Sequence, residues 1–384
     1  MRASDFVVIG GGIAGASVAY ELAEHGDVVL LEREATCGHH ATGRSAAVFT
    51  ECYGAPIVRR LAMASRSFLE TPPDGFADHP LASPRPILFI GREDQRVALD
   101  AAAREGAALV PSVRALDEAE ATALCPVLRN EYLAGAVLEP NAMDLDVHGL
   151  HQAFLRGIRR RGGELRTRAG VTHLGRNGGS WTIRVGNDHL SAPVVVNAAG
   201  AWCDELARLA GVSPIGLVPM RRTAFTFAAP PGVSHRDWPM VVDVDERFYF
   251  KPEGPHLLAS PADETPMDPC DAQPDEADVA LAIDRLQAAT TLDIRHVHSA
   301  WAGLRSFVSD RSPVVGMDPE HPGFFWLAGQ GGYGIKTSPA MARAAAALII
   351  DQRLPEDLTN TGIRAADTTS GPSVGPARLV TSGA

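Results

Sequence analysis

Apolar and polar positions alternate in distinct rhythms along the chain. The run DFVVIG opens an unbroken apolar segment at residue 5, glycines lead into IAGASVAYELAEH, and VVLLE follows Gly26. Short continuous apolar runs predict buried strands and the middle segment carries helical spacing, so residues 5–32 predict strand, helix, strand, with the helix stopped by Gly26. Pro-rich stretches (TPPDGF, HPLASPRP) then precede the isolated strand PILFI. The α/β rhythm resumes in DVHGLHQAFLRGIRRRGG, an amphipathic helix capped by Asp146 and stopped by Gly162, which feeds the strand ELRTRAGV. SAPVVVNAAGAW predicts a buried strand whose small-residue end, Ala198 to Gly200, lets backbone approach a ligand before a helix begins at Trp202. Between Thr223 and Ser260 the runs TAFTF, PMVVDV, RFYFKP and HLLAS predict an antiparallel sheet. GFFWLAGQGGYGIKTSPAMARAAAALII predicts a strand, a glycine turn and an alanine-rich helix. The tail after Asp367, rich in Ser, Gly, Thr and Pro, reads as disordered. No internal repeat is visible.

Composition narrows the class. A chain of 384 residues with 45% hydrophobic content fills more than one core. A formal net charge of −11 without a basic block excludes nucleic acid as a partner, because phosphate binding needs clustered cations. Arginine supplies nearly all positive charge; the lysines are Lys251 and Lys336 alone. Five scattered cysteines without a C-x-x-C pair suit a reduced, cytoplasmic protein. The apolar start is glycine-rich and runs into Glu21 and Glu24, unlike a secretory segment. No apolar run reaches the roughly 18 residues of a membrane span, so no integral membrane segment is expected. His39 and His40 form a pair that suggests a metal, but they lack a cysteine or carboxylate at ligand spacing, and no metal is expected.

The first glycine turn carries candidate chemistry. Gly10, Gly12 and Gly15 form G-x-G-x-x-G between strand and helix, and Glu32 closes the second strand 20 residues after Gly12. Missing side chains permit a tight turn, close pyrophosphate approach and helix-on-strand packing, and the helix N-terminus faces the phosphates. An acid at Glu32 accepts ribose hydroxyls and disfavours NADP; the alternative is a glycine-tightened turn with a solvated Glu32.

VVIGGGIAGAS, LLERE, TGRSAA, VVNAAGAW, WAGLRSF and GQGGYGIKTS together resemble, in order and spacing, the FAD-dependent amino-acid oxidoreductases, a group with D-amino-acid oxidase, glycine oxidase and sarcosine oxidase. Within it the pattern is most similar to the bacterial D-arginine dehydrogenase branch, over essentially the whole chain except the tail. The implied fold class is α/β: an interrupted Rossmann-like FAD-binding domain (1–78, 140–218 and 302–364) plus a substrate domain with an antiparallel sheet (79–139 and 219–301), with 365–384 as the disordered tail. Some sarcosine-oxidising relatives attach flavin to a late cysteine; WAGLRSFVSDRSPVVG has none, so noncovalent FAD is implied. The resemblance puts Gly10, Gly12, Ile13, Ala14, Gly15, Glu32 and Arg33 at the adenosine and pyrophosphate, with Val171 meeting the adenine through its backbone. Gly43, Arg44, Ser45 and Ala46 would lie toward the flavin, with Ala199, Gly200, Trp202, Gly303 and Arg305 also at the cofactor. Gly331, Gly332, Tyr333, Gly334, Ile335 and Lys336 would cover the pyrimidine edge. There a helix N-terminus favours the negative charge of reduced flavin, and Lys336 would either add a full charge or be a solvated lysine at a helix start.

The same resemblance implies the reacting site. An amino acid is held by its carboxylate, which arginine grips with paired hydrogen bonds and a tyrosine hydroxyl orients. Arg222, Tyr249 and Arg305 match the carboxylate positions, although any one alone reads as surface or structural. Tyr53 matches a tyrosine on a mobile loop beside the amine, Thr50 neighbours it, and the Gly332 carbonyl would accept an amine hydrogen. Two departures remove polarity: Val48 replaces a histidine and Ile87 replaces the glutamate that pairs with a guanidinium. With Met240 and Val242 also matching pocket positions, the side-chain end reads as apolar, because an unpaired cation against these groups costs several kcal/mol. The alternative is that Ile87 has merely repacked and Glu51 supplies the lost acid.

The expected function is oxidation of an α-amino acid, D and apolar or neutral, to an imino acid that hydrolyses to keto acid and ammonia, with oxygen, a quinone or another electron acceptor as partner. Two alternatives remain open: oxidation of an N-methyl or cyclic amino acid in biosynthesis, and a non-catalytic flavin-binding subunit that relays electrons.

Overall fold

The apolar run Phe6–Ile9 divides its side chains between two cores, Phe6 and Val8 facing one and Val7 and Ile9 the other. A strand buried on both faces belongs in a parallel sheet. In the computed structural model, which describes residues 2–366 and 378–381, it lies within an eight-stranded sheet. The order is Glu164–Arg166, Val28–Leu31, Phe6–Ile9, Val194–Asn197, Phe324–Ala328, Val314–Met317, Arg378–Thr381 and Ile363–Ala366. The first five strands run parallel and the last three pair antiparallel. Helices Ile13–Leu22, Val147–Arg160 and Gly334–Ile350 share a core on one face. On the other face lie helix Cys203–Leu209 and a four-stranded sheet that includes Ser180–Val185.

A nine-stranded sheet forms the second layer system. Its longest pair is Val218–Ala228 against Val297–Phe307, and it also holds Ile87–Gly91, Gly135–Glu139, Met240–Asp243, Tyr249–Glu253 and His256–Ser260. A three-stranded sheet carries Val48–Phe49 beside Met143–Leu145.

Several sequence expectations change. Within 223–260 the strands pair antiparallel with one another as expected, but Met240–Asp243 also pairs parallel with Ile87–Gly91 from outside the region; alternation marks a strand but not the direction of a remote partner. The first helix ends at Leu22, and residues 23–25 continue to Gly26 as tighter turns, with Glu24 N–H donating to Glu21 O and His25 N–H to Leu22 O. ELRTRAGV splits between two sheets at Arg168, whose φ is 51°. The boundary expected at 302 falls inside the strand Val297–Phe307. Disorder was expected from 365 onward, yet Ile363–Ala366 and Arg378–Thr381 pair as strands, anchored by fully buried Ile363 and Leu379. The other tail positions lie outside the described residues.

Candidate active site

The parallel strands end at one edge, and there Gly10, Glu32, Ala198 and Gly331 open onto a cavity of about 450 Å³. Ligands of open α/β sheets bind at this carboxyl end. Gly10 has φ 111°, and a Cβ on it would overlap the Ala198 carbonyl. A Cβ on Gly15 would overlap Gly10 O, so Gly15 seats the helix on the strand rather than lining the cavity. No side chain at Gly12 caps the helix. Instead Thr42, a residue the sequence reading missed, accepts the Ile13 N–H through Oγ1 at 2.9 Å. The buried Glu32 carboxylate accepts the Gly11 N–H and the Glu34 N–H, each at 2.8 Å. His151, also missed, is buried behind the turn with Nε2 2.9 Å from Gly11 O, and burial lowers its pKa. Both signals arrive from remote parts of the chain.

At the Glu32 end the Arg33 guanidinium lies 3.9 Å above the Trp202 ring, and the His40 ring is 4.6 Å from that ring. Contrary to the sequence expectation, a carboxylate does stand by the histidines: Glu34 Oε1 is 3.0 Å from His40 Nε2, because the loop after the second strand folds back. That hydrogen bond, ahead of burial, leaves Glu34 below its ordinary carboxylate value. Gly12, Ile13, Ala14, Glu32, Arg33, Arg44, Ser45, Ala46, Val171, Ala199, Gly200, Trp202, Gly303, Arg305, Gly331, Gly332, Gly334 and Ile335 all line this cavity. Gly43 does not; its N–H donates to Gly38 O within the loop. Tyr333 and Lys336 line a second cavity instead.

That second cavity, about 100 Å³, adjoins the first, and Arg222, Tyr249, Arg305, Gly332 and Ile335 line both. Arg222 and Arg305 stand on paired strands. Arg222 is mostly committed, with Nε donating to Asp263 O at 2.8 Å and Nη2 3.2 Å from Glu264. Burial, then the neighbouring Arg305, lowers its pKa. Arg305 has no carbonyl or carboxylate partner among the described residues; burial opposes its charge most, but Tyr249, Tyr53, Tyr333 and Glu264 together raise the pKa. Two guanidinium groups meeting at a cavity junction make an anion site.

Beyond the junction Val48, Ile87, Met240 and Val242 form an apolar wall with Phe89. Opposite, Tyr53 donates its hydroxyl to Glu246 Oε2 at 2.6 Å. Burial, reinforced by Glu246, raises the Tyr53 pKa well beyond the ordinary tyrosine range, so its hydroxyl is a donor and not a base. Glu246 went unnoticed in sequence, since an acid in the turn DVDER reads as solvated. Glu51 does not supply the missing acid: Arg66 holds it at 2.9 and 3.0 Å, and it does not line the cavity. Thr50 lines the cavity, but its hydroxyl is given to Glu139 at 2.6 Å. Lys336 is neither solvated nor turned to the larger cavity; its buried Nζ donates to Thr50 O and Tyr53 O, both at 2.8 Å. Burial pushes its pKa down to about 7.

A family model described as FAD dependent oxidoreductase (DAO) matches residues 5–348. The chain belongs to this family. FAD-dependent oxidoreductase domain-containing protein 1 of Bos taurus is 26% identical, over 91% of this chain and 81% of that protein. Mitochondrial sarcosine dehydrogenase of Homo sapiens is 27% identical, over 94% of this chain and 41% of that protein. Glycine oxidase from Geobacillus kaustophilus shares the fold, with a TM-score of 0.82 at 21% identity over 93% and 96% of the two chains. The oxidoreductase's larger cavity fits its FAD: a helix N-terminus without a side chain at Gly12, a buried carboxylate and a small-residue cradle converge there. No helix among the described residues is long and apolar enough to cross a membrane.

Proposed function

We propose that this oxidoreductase oxidises an α-amino acid, of D configuration with an apolar or neutral side chain, at the carbon bearing the nitrogen. The observation that carries the reading is Arg305: a half-buried guanidinium without a carbonyl or carboxylate partner among the described residues, at the junction between the cofactor-sized cavity and an apolar one. FAD supplies the two-electron acceptor that takes the Cα hydrogen as hydride. Arg305 grips the substrate carboxylate, Arg222 adds a second charge, and the Tyr249 hydroxyl sets its rotation. The Gly332 carbonyl accepts an amine hydrogen, while Tyr53, held by Glu246, covers the amine and keeps water out. The imino acid then hydrolyses to keto acid and ammonia. Val48, Ile87, Met240 and Val242 take the side chain. D configuration rests on the family resemblance alone, because mirror-image substrates can use the same clamp of Arg222, Tyr249 and Arg305 with different faces turned to the flavin. An electron-relay subunit without a substrate has no use for a cavity-facing guanidinium left without a carboxylate partner among the described residues.

A second reading is favoured by Glu246, whose carboxylate beside an apolar wall suits the ammonium of an N-methyl or cyclic amino acid. Sarcosine dehydrogenase is among the similar proteins. Anaerobic flavin bleaching by D-, L- and N-methyl amino acids, followed by admission of air, separates the readings and reports whether oxygen, a quinone or another acceptor must be supplied. D-Leu or D-Met should bleach faster than D-Arg; a D-Arg preference overturns the apolar-side-chain proposal. Noncovalent attachment belongs to the same proposal, and acid precipitation should release the flavin into the supernatant; a yellow pellet refutes it.

A further inference from the structure

We propose that Lys336 is a positioning residue that holds the Tyr53 segment over the substrate cavity by donating two hydrogen bonds to its backbone. The inference takes from the proposed function only the identity of that cavity as the substrate's.

Residues 50–55 connect the short strand Val48–Phe49 to helix Pro56–Glu70 without regular structure of their own. Their backbone therefore needs partners from elsewhere. Lys336 enters from the first turn of helix Gly334–Ile350, whose preceding residues Gly334 and Ile335 line the larger cavity. Its Nζ reaches Thr50 O and Tyr53 O, both at 2.8 Å, and so clamps both ends of the segment that carries Tyr53. The same Nζ lies 5.6 Å from the Tyr53 ring centre and 5.5 Å from that of Tyr333. Other groups facing it are Glu139, Glu51, Cys52 and Arg59. Glu139 holds the segment from the far side, accepting the Thr50 hydroxyl and the Glu51 N–H. Arg59 Nε donates to Gly54 O at 2.8 Å, which leaves the Tyr53 carbonyl to the lysine.

An amine with two hydrogens satisfies both carbonyls as well as an ammonium does, so both protonation states keep the clamp. The ammonium makes the stronger, charge-assisted bonds. Burial brings Lys336 down to about 7, so both forms are present near neutral pH and each supplies the two donors.

The test compares Lys336→Met, which has no donor, with Lys336→Gln, whose amide offers two. Hydrogen exchange at residues 51–55 is measured in the flavin-loaded proteins without substrate, so that an error in the substrate assignment cannot alter the outcome. Exchange should rise at least about tenfold in K336M and stay within about threefold of the parent in K336Q. With the best substrate of the bleaching panel, KM in K336M should rise while flavin reduction at saturation is kept. Unchanged exchange in flavin-retaining K336M, or equal loosening in K336Q, overturns the proposal. Should K336M not retain flavin, the parent and K336Q suffice: after correction for intrinsic exchange, K336Q stays within about threefold of the parent at both pH 6 and pH 8. Loosening of K336Q beyond that at either pH refutes the clamp.

Discussion

Arg305 and Arg222 are both arginines at the same junction, yet their surroundings give them different weight. Arg222 also ties Asp263 and Glu264 together, whereas Arg305 has no such second task among the described residues. Arg305→Met should therefore lower kcat/KM by about 10²- to 10³-fold, the cost of leaving a substrate carboxylate unpaired, with the flavin spectrum intact. Steady-state kinetics beside the visible spectrum check this; equal kinetics would remove Arg305 from the site. Arg222→Met should lose stability as well as activity. These residues were legible through the order of their motifs. Glu246 was not, because nothing in DVDER announces that a tyrosine 193 residues earlier will donate to it.

Helix starts show the same division one scale up. Asp146 caps Val147–Arg160 from the adjoining position, accepting the Gly149 N–H at 2.8 Å, and the sequence pattern showed it. Asp146→Ala should cost about 1 kcal/mol of unfolding free energy in urea titration. The first helix takes its cap from Thr42, 29 residues away, which no local pattern reveals. Thr42→Val should cost a similar amount and also weaken FAD binding, read from the flavin fluorescence recovered on dilution. Retained affinity would separate the cap from the cofactor site. Strand direction belongs at this scale too: the alternation in PMVVDV identified a strand, while its parallel partner Ile87–Gly91 was chosen by the packing of the whole sheet.

For the whole molecule, the buried Lys336 ties stability to pH. Its native value near 7 lies below the ordinary 10.5, so between these limits the unfolded chain binds the proton and the native chain does not. Stability from this group therefore rises with pH across that window, and the full burial cost applies below about 7. Chemical denaturation of the parent and K336M should differ most in slope between pH 7 and 10; parallel profiles would refute the buried-lysine account. The chain by itself determined the local matters: which runs form strands and helices, the glycine turn with Glu32, and the apolar side chains at Val48 and Ile87. Periodicity, backbone freedom and neighbouring caps act over a few residues, so they can be read in order. Only the tertiary structure decided that Arg305 has no carbonyl or carboxylate partner among the described residues, that Glu246 meets Tyr53, that Lys336 donates to Thr50 and Tyr53 and that Arg378–Thr381 is a strand. Burial and hydrogen-bond satisfaction depend on which distant groups share a cavity, and that is set by the packing of sheets the sequence lists far apart.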